Sequence, residues 1–186
     1  TVRTELDLID RQVTRIDAIV GKLLQFARPG DFGGYIGSVA LADVAKDCLV
    51  LVDHELSKRD IAVSQDFAPA PHVQIEPGEM QQVVVNLVMN ALQAMGTQGR
   101  LCLAIRAEPR DGHPGAILDV ADTGPGLPDT FADHVFDPFF TTKQAEGTGL
   151  GLSISQTLVQ RAGGLITAQT RPEGGALFRV WLPAAT

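Results

Sequence analysis

The feature that most constrains this chain is an apolar helix pattern that keeps polar side chains on one face. Residues 80–95 read MQQVVVNLVMNALQAM, and Asn86 and Asn90 lie four residues apart, on the same face of a helix. Gln82 lies on that face one turn earlier. A buried amide without partners costs about 1–3 kcal/mol. Two such amides indicate either a satisfied polar network in the core or a binding site, and the helix alone does not decide between them.

Three glycine- or phenylalanine-rich motifs follow this helix and favour the binding site. They read DTGPG at 122–126, FDPFFTTK at 136–143 and GTGLGL at 147–152. Asp122 ends an apolar strand pattern, where a carboxylate either caps a turn or faces a pocket. In a pocket, its oxygens would accept from an exocyclic amino group such as that of adenine. Gly124 and Gly126 would then allow the backbone to approach the base closely.

Gly147, Gly149 and Gly151 precede a predicted helix, and backbone N–H groups at such a position suit phosphate oxygens. The pattern is not a Walker A loop, because no lysine follows the last glycine. It is not a Rossmann fingerprint, because a loop rather than a strand precedes the glycines. A protein-kinase glycine loop is a hairpin, whereas a helix follows here. The sequence therefore predicts the phosphate loop of a different nucleotide-binding fold.

Two further kinds of side chain suit a bound nucleotide. Mg²⁺ takes few protein ligands besides water and phosphate, so the side-chain oxygen of Asn90, and less directly that of Asn86, suits it. Lys143 lies between the phenylalanines and the glycines. It either neutralises phosphate charge there or is an ordinary solvated loop lysine.

The N-terminal region follows a different pattern from the rest of the chain. Its apolar side chains recur at alternating spacings of three and four, the period of a helical bundle; they are Leu6, Ile9, Val13, Ile16, Val20, Leu23 and Ala27. Pro29-Gly30 ends this helix. We predict a bundle helix over 1–29, a linker over 30–37 and a globular domain over 38–186. The alternative is one long surface helix of the main domain.

Beyond the linker, apolar periodicity predicts both strands and helices. The predicted strands are 39–41, 61–67, 73–75, 101–107, 116–121, 165–170 and 177–182, and the predicted helices are 43–58, 77–95 and 151–162. Strands 101–107 and 116–121 are expected to form one hairpin, and strands 165–170 and 177–182 another. Helices with a mixed sheet of this kind make a two-layer α/β sandwich.

The composition of the chain argues against several classes of function. The chain has 186 residues, of which 45% are hydrophobic, which suits one domain with a real core. Its net charge of −7 argues against a nucleic-acid surface, which needs a basic face. No apolar run approaches the roughly 18 residues that a membrane span requires. Cys48 and Cys102 lie far apart in apolar surroundings and are expected to be buried free thiols.

Together the motifs resemble those of the ATP-binding catalytic domain of sensor histidine kinases. That domain belongs to a larger group, the GHKL or Bergerat-fold ATPases, with the heat-shock 90 chaperones, gyrase B and the mismatch-repair MutL proteins. Residues 81–95 resemble the N box, 122–126 the G1 box, 136–143 the F box and 147–152 the G2 box. The resemblance covers essentially the whole chain and implies a Bergerat-type α/β sandwich.

The resemblance also implies a role for individual residues. Asn90 matches the magnesium ligand, Asn86 the supporting asparagine, and Asp122 the acceptor for the adenine amino group. Residues 136–146 would form a mobile lid, and residues 4–28 the second helix of the dimerisation and phosphoacceptor hairpin. The implied nucleotide-binding residues are Asn86, Asn90, Asp122, Gly124, Gly126, Thr141, Thr142, Lys143, Gly147, Thr148, Gly149, Leu150 and Gly151, with Asn86 and Lys143 as the catalytic groups.

The sequence departs from the family pattern in two places. These kinases phosphorylate a histidine in an H-E/D-x-x-x-P context, but the only His-Glu pair here, His54-Glu55, lacks that proline and follows the linker. We therefore expect the acceptor histidine to lie upstream of Thr1, in a longer protein. Ala176 stands where relatives often have a threonine near the nucleotide.

Three functions remain to be compared. ATPases of this fold carry a glutamate four residues before the magnesium asparagine to activate water, and Asn86 at that position cannot take a proton, which favours a kinase. The alternatives are a GHKL-type ATPase and a non-catalytic nucleotide-binding scaffold. The kinase interpretation implies ATP and Mg²⁺ as cofactors and a response regulator receiver domain as partner in a two-component system. It also implies a homodimer in the full-length protein, a cytoplasmic location, membrane contact only through upstream segments, and no nucleic-acid partner.

Overall fold

The computed structural model describes residues 37–128, 134–140 and 149–186. The strands are β1 (Ser38–Val39), β2 (Asp60–Phe67), β3 (Val73–Gln74), β4 (Gln98–Ala107), β5 (Gly115–Ala121), β6 (Leu165–Thr170) and β7 (Ala176–Pro183). The helices are α1 (Leu41–Leu51), α2 (Asp53–Leu56), α3 (Pro77–Met95) and α4 (Gly151–Arg161). The predicted bundle helix and all but the last residue of the predicted linker lie outside the described residues.

Five of these strands form one mixed sheet in the order β2-β4-β5-β7-β6. β2 runs parallel to β4, and the other neighbouring pairs are antiparallel. The two predicted hairpins, β4–β5 and β6–β7, are confirmed. β1 and β3 form a separate antiparallel pair.

Helices α1, α3 and α4 cover one face of this sheet. Alternate residues of β7 are buried toward the helices, among them Phe178 and Val180. The residues that α3 buries recur with the helical period: Met80, Val83, Val84, Leu87, Val88, Ala91 and Leu92. The opposite face of the sheet carries an ion pair between neighbouring strands, in which Arg179 Nε lies 2.7 Å from Asp119 Oδ1. The predicted two-layer α/β sandwich is confirmed. In the part of the chain that the structure describes, no helix is both long and apolar enough to cross a membrane.

Several element boundaries differ from the prediction. The predicted strand 39–41 ends at Val39, because Leu41 already begins α1. The predicted helix 43–58 is interrupted at Val52, and the short α2 that follows buries no residue, so too few contacts hold the two segments as one helix. β4 begins at Gln98 rather than residue 101, because it pairs with β2 from there. By contrast, α3 begins at Pro77 as predicted.

The two cysteines are free thiols, as predicted, but only one of them is fully buried. Cys48 is inaccessible to solvent, and its Sγ lies 3.6 Å from the backbone oxygen of Gln81. Burial, assisted by the nearby charge of Asp47, raises the pKa of the Cys48 thiol to about 11. Cys102 is half-buried on β4, so the prediction of a buried thiol is wrong there.

Candidate functional site

Asp122 is a buried carboxylate directly after β5, with 1% of its surface exposed. Its Oδ1 accepts hydrogen bonds from the backbone N–H groups of Gly124, at 2.8 Å, and Ala176, at 3.2 Å. Its Oδ2 has no hydrogen-bond partner among the described residues. Since no buried side-chain polar atom of the described chain is left unpaired, Oδ2 keeps an opening to solvent. One oxygen therefore caps the turn, and the other remains as an acceptor for a ligand.

The loop after Asp122 lies between the end of α3 and the turn that joins β6 to β7. A Cβ on Gly124 would lie 3.2 Å from the carbonyl carbon of Ala94, in the last turn of α3. On the other side, Gly175 has φ +88°, and a Cβ there would lie 1.9 Å from the backbone oxygen of Asp122. Only glycine fits such a position. Gly126 also has a positive φ and packs against Thr170. The backbone around the free carboxylate oxygen is therefore tightly fixed.

Asn86 and Asn90 lie one turn apart on the same flank of α3, and the two amides differ in their contacts. Asn86 Nδ2 donates to the backbone oxygen of Gly151 at 3.2 Å and to Ser155 Oγ at 3.3 Å. Asn90, one turn later, is half-buried and has no hydrogen-bond partner among the residues that the structure describes. The first amide belongs to a satisfied network, and the second is available to a ligand.

The segment Gly149–Gly151 leads directly into α4. Leu150 at its N-cap is buried, and no side chain of the described residues caps the helix there. The first N–H groups of α4 lack intrahelical partners, as at any helix start, and such groups suit an anion. A Cβ on Gly149 would lie 2.5 Å from the carbonyl carbon of Phe139, and the Phe139 N–H donates to the Gly149 oxygen at 2.9 Å. The phenylalanine segment is thus bound to the glycine segment through the backbone.

The phenylalanine segment is anchored at one end and exposed at the other. Phe136 packs edge-on against Phe178 of β7, with ring centroids 6.4 Å apart. Phe139 has 63% of its surface exposed and a positive φ of 65°. A non-glycine residue at positive φ is uncommon, and such strain concentrates at functional sites.

The structure therefore brings the predicted site residues together in two separate groups. Asp122, Gly124 and Gly126 form one group beside α3. The second group contains Asn86, Gly149, Leu150 and Gly151 at the junction of α3 and α4. The predicted site residues Thr141, Thr142, Lys143, Gly147 and Thr148, and the lid residues from 141 to 146, lie outside the described residues.

Three further residues contact Asp122 from the β6–β7 hairpin, and the sequence did not identify any of them as a partner of this carboxylate. Ala176 contributes its backbone N–H, Gly175 its lack of a side chain, and Arg171 Nη1 donates to the Asp122 backbone oxygen at 3.1 Å. These residues lie about fifty positions later in the chain. The glycine pair at 174 and 175 indicates a turn but not what the turn contacts, and the family resemblance placed Ala176 near the nucleotide without naming its contact with Asp122.

Comparison with known proteins is consistent with this geometry. The model of the family described as "Histidine kinase-, DNA gyrase B-, and HSP90-like ATPase" matches residues 75–186. The chain is 37% identical over 174 residues to the sensor histidine kinase ZraS of Klebsiella oxytoca, covering 93% of this chain and 36% of that protein. It therefore spans about a third of the length of this curated relative.

Two solved structures are also similar. The catalytic domain of histidine kinase ThkA superimposes with a TM-score of 0.71 at 28% identity, covering 81% of this chain and 96% of that one. A ThkA structure in complex with the response regulator protein TrrA has a TM-score of 0.76 at 24% identity, covering 100% of this chain and 52% of that one. The family model and the match to ZraS confirm the predicted family, and the solved structures confirm the predicted fold.

Proposed function

Because the chain belongs to the family of histidine kinase-, DNA gyrase B- and HSP90-like ATPases, we propose that it is the catalytic ATP-binding domain of a sensor histidine kinase. In this role it binds Mg·ATP and presents the γ-phosphate to a histidine outside the present sequence. The full-length protein would pass the phosphate on to a response regulator, the class of partner with which ThkA has been crystallised.

The observation that best supports the proposal is that the two oxygens of the Asp122 carboxylate have different partners. Two backbone N–H groups hold Oδ1, which fixes the orientation of the side chain. Oδ2 remains an acceptor in otherwise buried surroundings, so it discriminates in favour of a donor such as the adenine amino group. A charge-assisted hydrogen bond of this kind is about twice as strong as a neutral one.

Phosphate and metal would be held on the other side of the site. The first turn of α4 offers N–H groups to phosphate oxygens, and the half-buried Asn90 amide offers an oxygen that no described residue uses. This sparse set suits Mg²⁺, which keeps most of its water and takes one or two protein ligands. When bound, the metal would neutralise charge on the phosphates. Lys143 is proposed to act in the same way.

Transfer to a histidine is favoured over hydrolysis by the residue at position 86. A hydrolase needs a group that removes a proton from water, and a carboxamide cannot do so. In a transfer reaction, the acceptor imidazole attacks the γ-phosphorus, the bond to the β,γ-bridging oxygen breaks, and ADP leaves with the electron pair. The described residues contribute positioning and electrostatic stabilisation to this reaction, the main sources of catalysis in phosphoryl transfer.

Calorimetric titration with ADP and ATP, with and without Mg²⁺, tests the proposal. We expect the wild-type chain to bind both nucleotides and to bind ATP more tightly with Mg²⁺. Asn90→Ala should lose the magnesium-dependent part of the ATP affinity and keep its affinity in EDTA, because the amide would contact only the metal. A wild-type chain that binds neither nucleotide would refute the proposed function. Normal magnesium dependence in Asn90→Ala would refute only the assignment of the metal ligand.

A further inference from the structure

The Asn86 amide takes part in a closed triangle of polar atoms between α3 and α4. Its Nδ2 lies 3.2 Å from the Gly151 oxygen and 3.3 Å from Ser155 Oγ, and Ser155 Oγ lies 2.9 Å from the Gly151 oxygen. A carbonyl oxygen only accepts, so Ser155 donates its proton to Gly151 and accepts from Asn86. This chemistry also assigns the amide: the atom that contacts the Gly151 oxygen is the nitrogen and not the oxygen.

Both acceptors lie on the same side of the Asn86 nitrogen, because the three atoms are mutually close. The amide oxygen takes no part in this triangle, and no described residue hydrogen-bonds to it. Without the hydroxyl of Ser155, Gly151 alone would hold the amide, and the side chain could rotate about its last bond more freely. The triangle also ties the first turn of α4 to the helix that carries Asn90.

Ser155 itself cannot serve as a surface contact, because it is completely buried. Hydroxyl bonds to a preceding carbonyl are ordinary in helices, and α4 has two others: Ser153 bonds to Leu150, and Thr157 bonds to Ser153. Ser155 also accepts a hydrogen bond from Asn86 of α3. Its hydroxyl therefore does more than satisfy itself within its own helix.

We propose that Ser155 is a positioning residue for nucleotide binding: it fixes the orientation of the Asn86 amide and the position of the first turn of α4 relative to Asn90. The inference rests on the proposed function, because it concerns the phosphate side of that site. Ser155 touches neither substrate nor metal in this role. Its effect is transmitted through Asn86.

Two hydroxyl deletions in α4 test the proposal. Ser155→Ala removes the hydroxyl that contacts Asn86, whereas Thr157→Ala removes a hydroxyl of the same helix that, like Ser155, bonds to the carbonyl four residues earlier but lies beyond the first turn. We expect Ser155→Ala to weaken the binding of Mg·ATP about three- to tenfold, the effect of one net hydrogen bond. Thr157→Ala should stay within about twofold of wild type. Alanine suits a helix interior, and thermal unfolding of both variants confirms that they fold.

A double-mutant cycle separates positioning through Asn86 from a general loss of packing. If Ser155 acts through Asn86, Ser155→Ala should have less than about a twofold effect on Mg·ATP binding in a chain that already carries Asn86→Ala. An undiminished effect in that background would overturn the proposal, as would equal affinities for Ser155→Ala and Thr157→Ala. A wild-type chain without nucleotide affinity would instead refute the proposed function itself.

Discussion

Replacing Asp122 by asparagine changes one atom of the site and leaves its geometry in place. The asparagine Oδ1 can still accept from the N–H groups of Gly124 and Ala176, which lie 2.8 and 3.2 Å from the present oxygen. Only Oδ2, the atom that no described residue uses, becomes an NH₂ group. The substitution therefore turns the acceptor offered to a ligand into a donor without removing the turn cap.

The expected loss of affinity follows from that exchange. A hydrogen bond to a charged group contributes about 1.5–3 kcal/mol, which corresponds to roughly 10- to 150-fold in affinity for ADP. In the variant, the new NH₂ group would also face the adenine amino group, so that two donors meet. We therefore expect a loss of ADP affinity toward the upper end of this range. The folded state should lose on the order of 1 kcal/mol, because two bonds to a carboxylate become bonds to a neutral amide.

The assay is calorimetric titration of the variant with ADP and with inosine diphosphate, which carries an acceptor in place of the amino group. Asp122→Asn should lose affinity for ADP and gain affinity for inosine diphosphate relative to wild type. Asp66→Asn, the same chemical change at an exposed position on β2, is the control and should alter neither. A folded Asp122→Asn variant with unchanged ADP affinity would show that the carboxylate only caps the turn.

Two further predictions concern backbone fit and thiol ionisation. Gly175→Ala should destabilise the fold by at least about 2 kcal/mol and abolish ADP binding, because its Cβ would lie 1.9 Å from the backbone oxygen of Asp122. Gly174→Ala, at φ +97° with no atom nearby, should cost only the backbone strain of about 1–2 kcal/mol; equal unfolding free energies for the two variants would contradict the clash. Since the folded-state pKa of Cys48 is raised from 9.0 to about 11, its contribution to stability is complete below pH 9 and is lost as the pH rises toward 11. Denaturant titrations between pH 8 and 11 should show this decline in wild type but not in Cys48→Ala, and alkylation of native Cys48 at pH 8 should be slower than in denaturant.

The fold was largely predictable from local patterns. The long period-3.6 run over α3, with proline at its first position, specified that helix to the residue. The two hairpins connect neighbouring segments, so turn residues and alternation were enough to predict them. The parallel pairing of β2 with β4 was not predictable in this way, because α3 and β3 intervene in the chain.

The break at Val52 shows a different limit. Apolar residues continue through Val50, Leu51 and Val52, and periodicity alone extends the helix across them. In the structure, Val50 and Leu51 are exposed and only Val52 is buried, so the apolar pattern does not correspond to a continuous contact with the core. Which residues a helix buries depends on neighbours that are distant in sequence.

The candidate site was predictable as a set of residues but not as a set of contacts. The motifs identified Asp122 and Asn86, whose types and spacing carry chemical information. Their partners are Ala176, which acts through its backbone, and Ser155, whose residue type does not show which helix its hydroxyl contacts. A backbone N–H has no sequence signature, and only the tertiary fold brings it within 3.2 Å of the carboxylate.

The alternatives that the sequence left open were not mutually exclusive, and the structure gives a physical reason. Asp122 was either a turn cap or a ligand acceptor, but a carboxylate has two oxygens, and one is held by the turn while the other is free. The two asparagines on α3 divide in the same way: Asn86 belongs to a polar network, and Asn90 has no partner among the described residues. In the carboxylate, the oxygen that the turn holds fixes the orientation of the free one, so the ordering entropy of this group is spent in folding and not in binding. Loss of a contact that holds such a group, for example the contact of the Ser155 hydroxyl with Asn86, should therefore weaken ligand binding without any change in the atoms that touch the ligand.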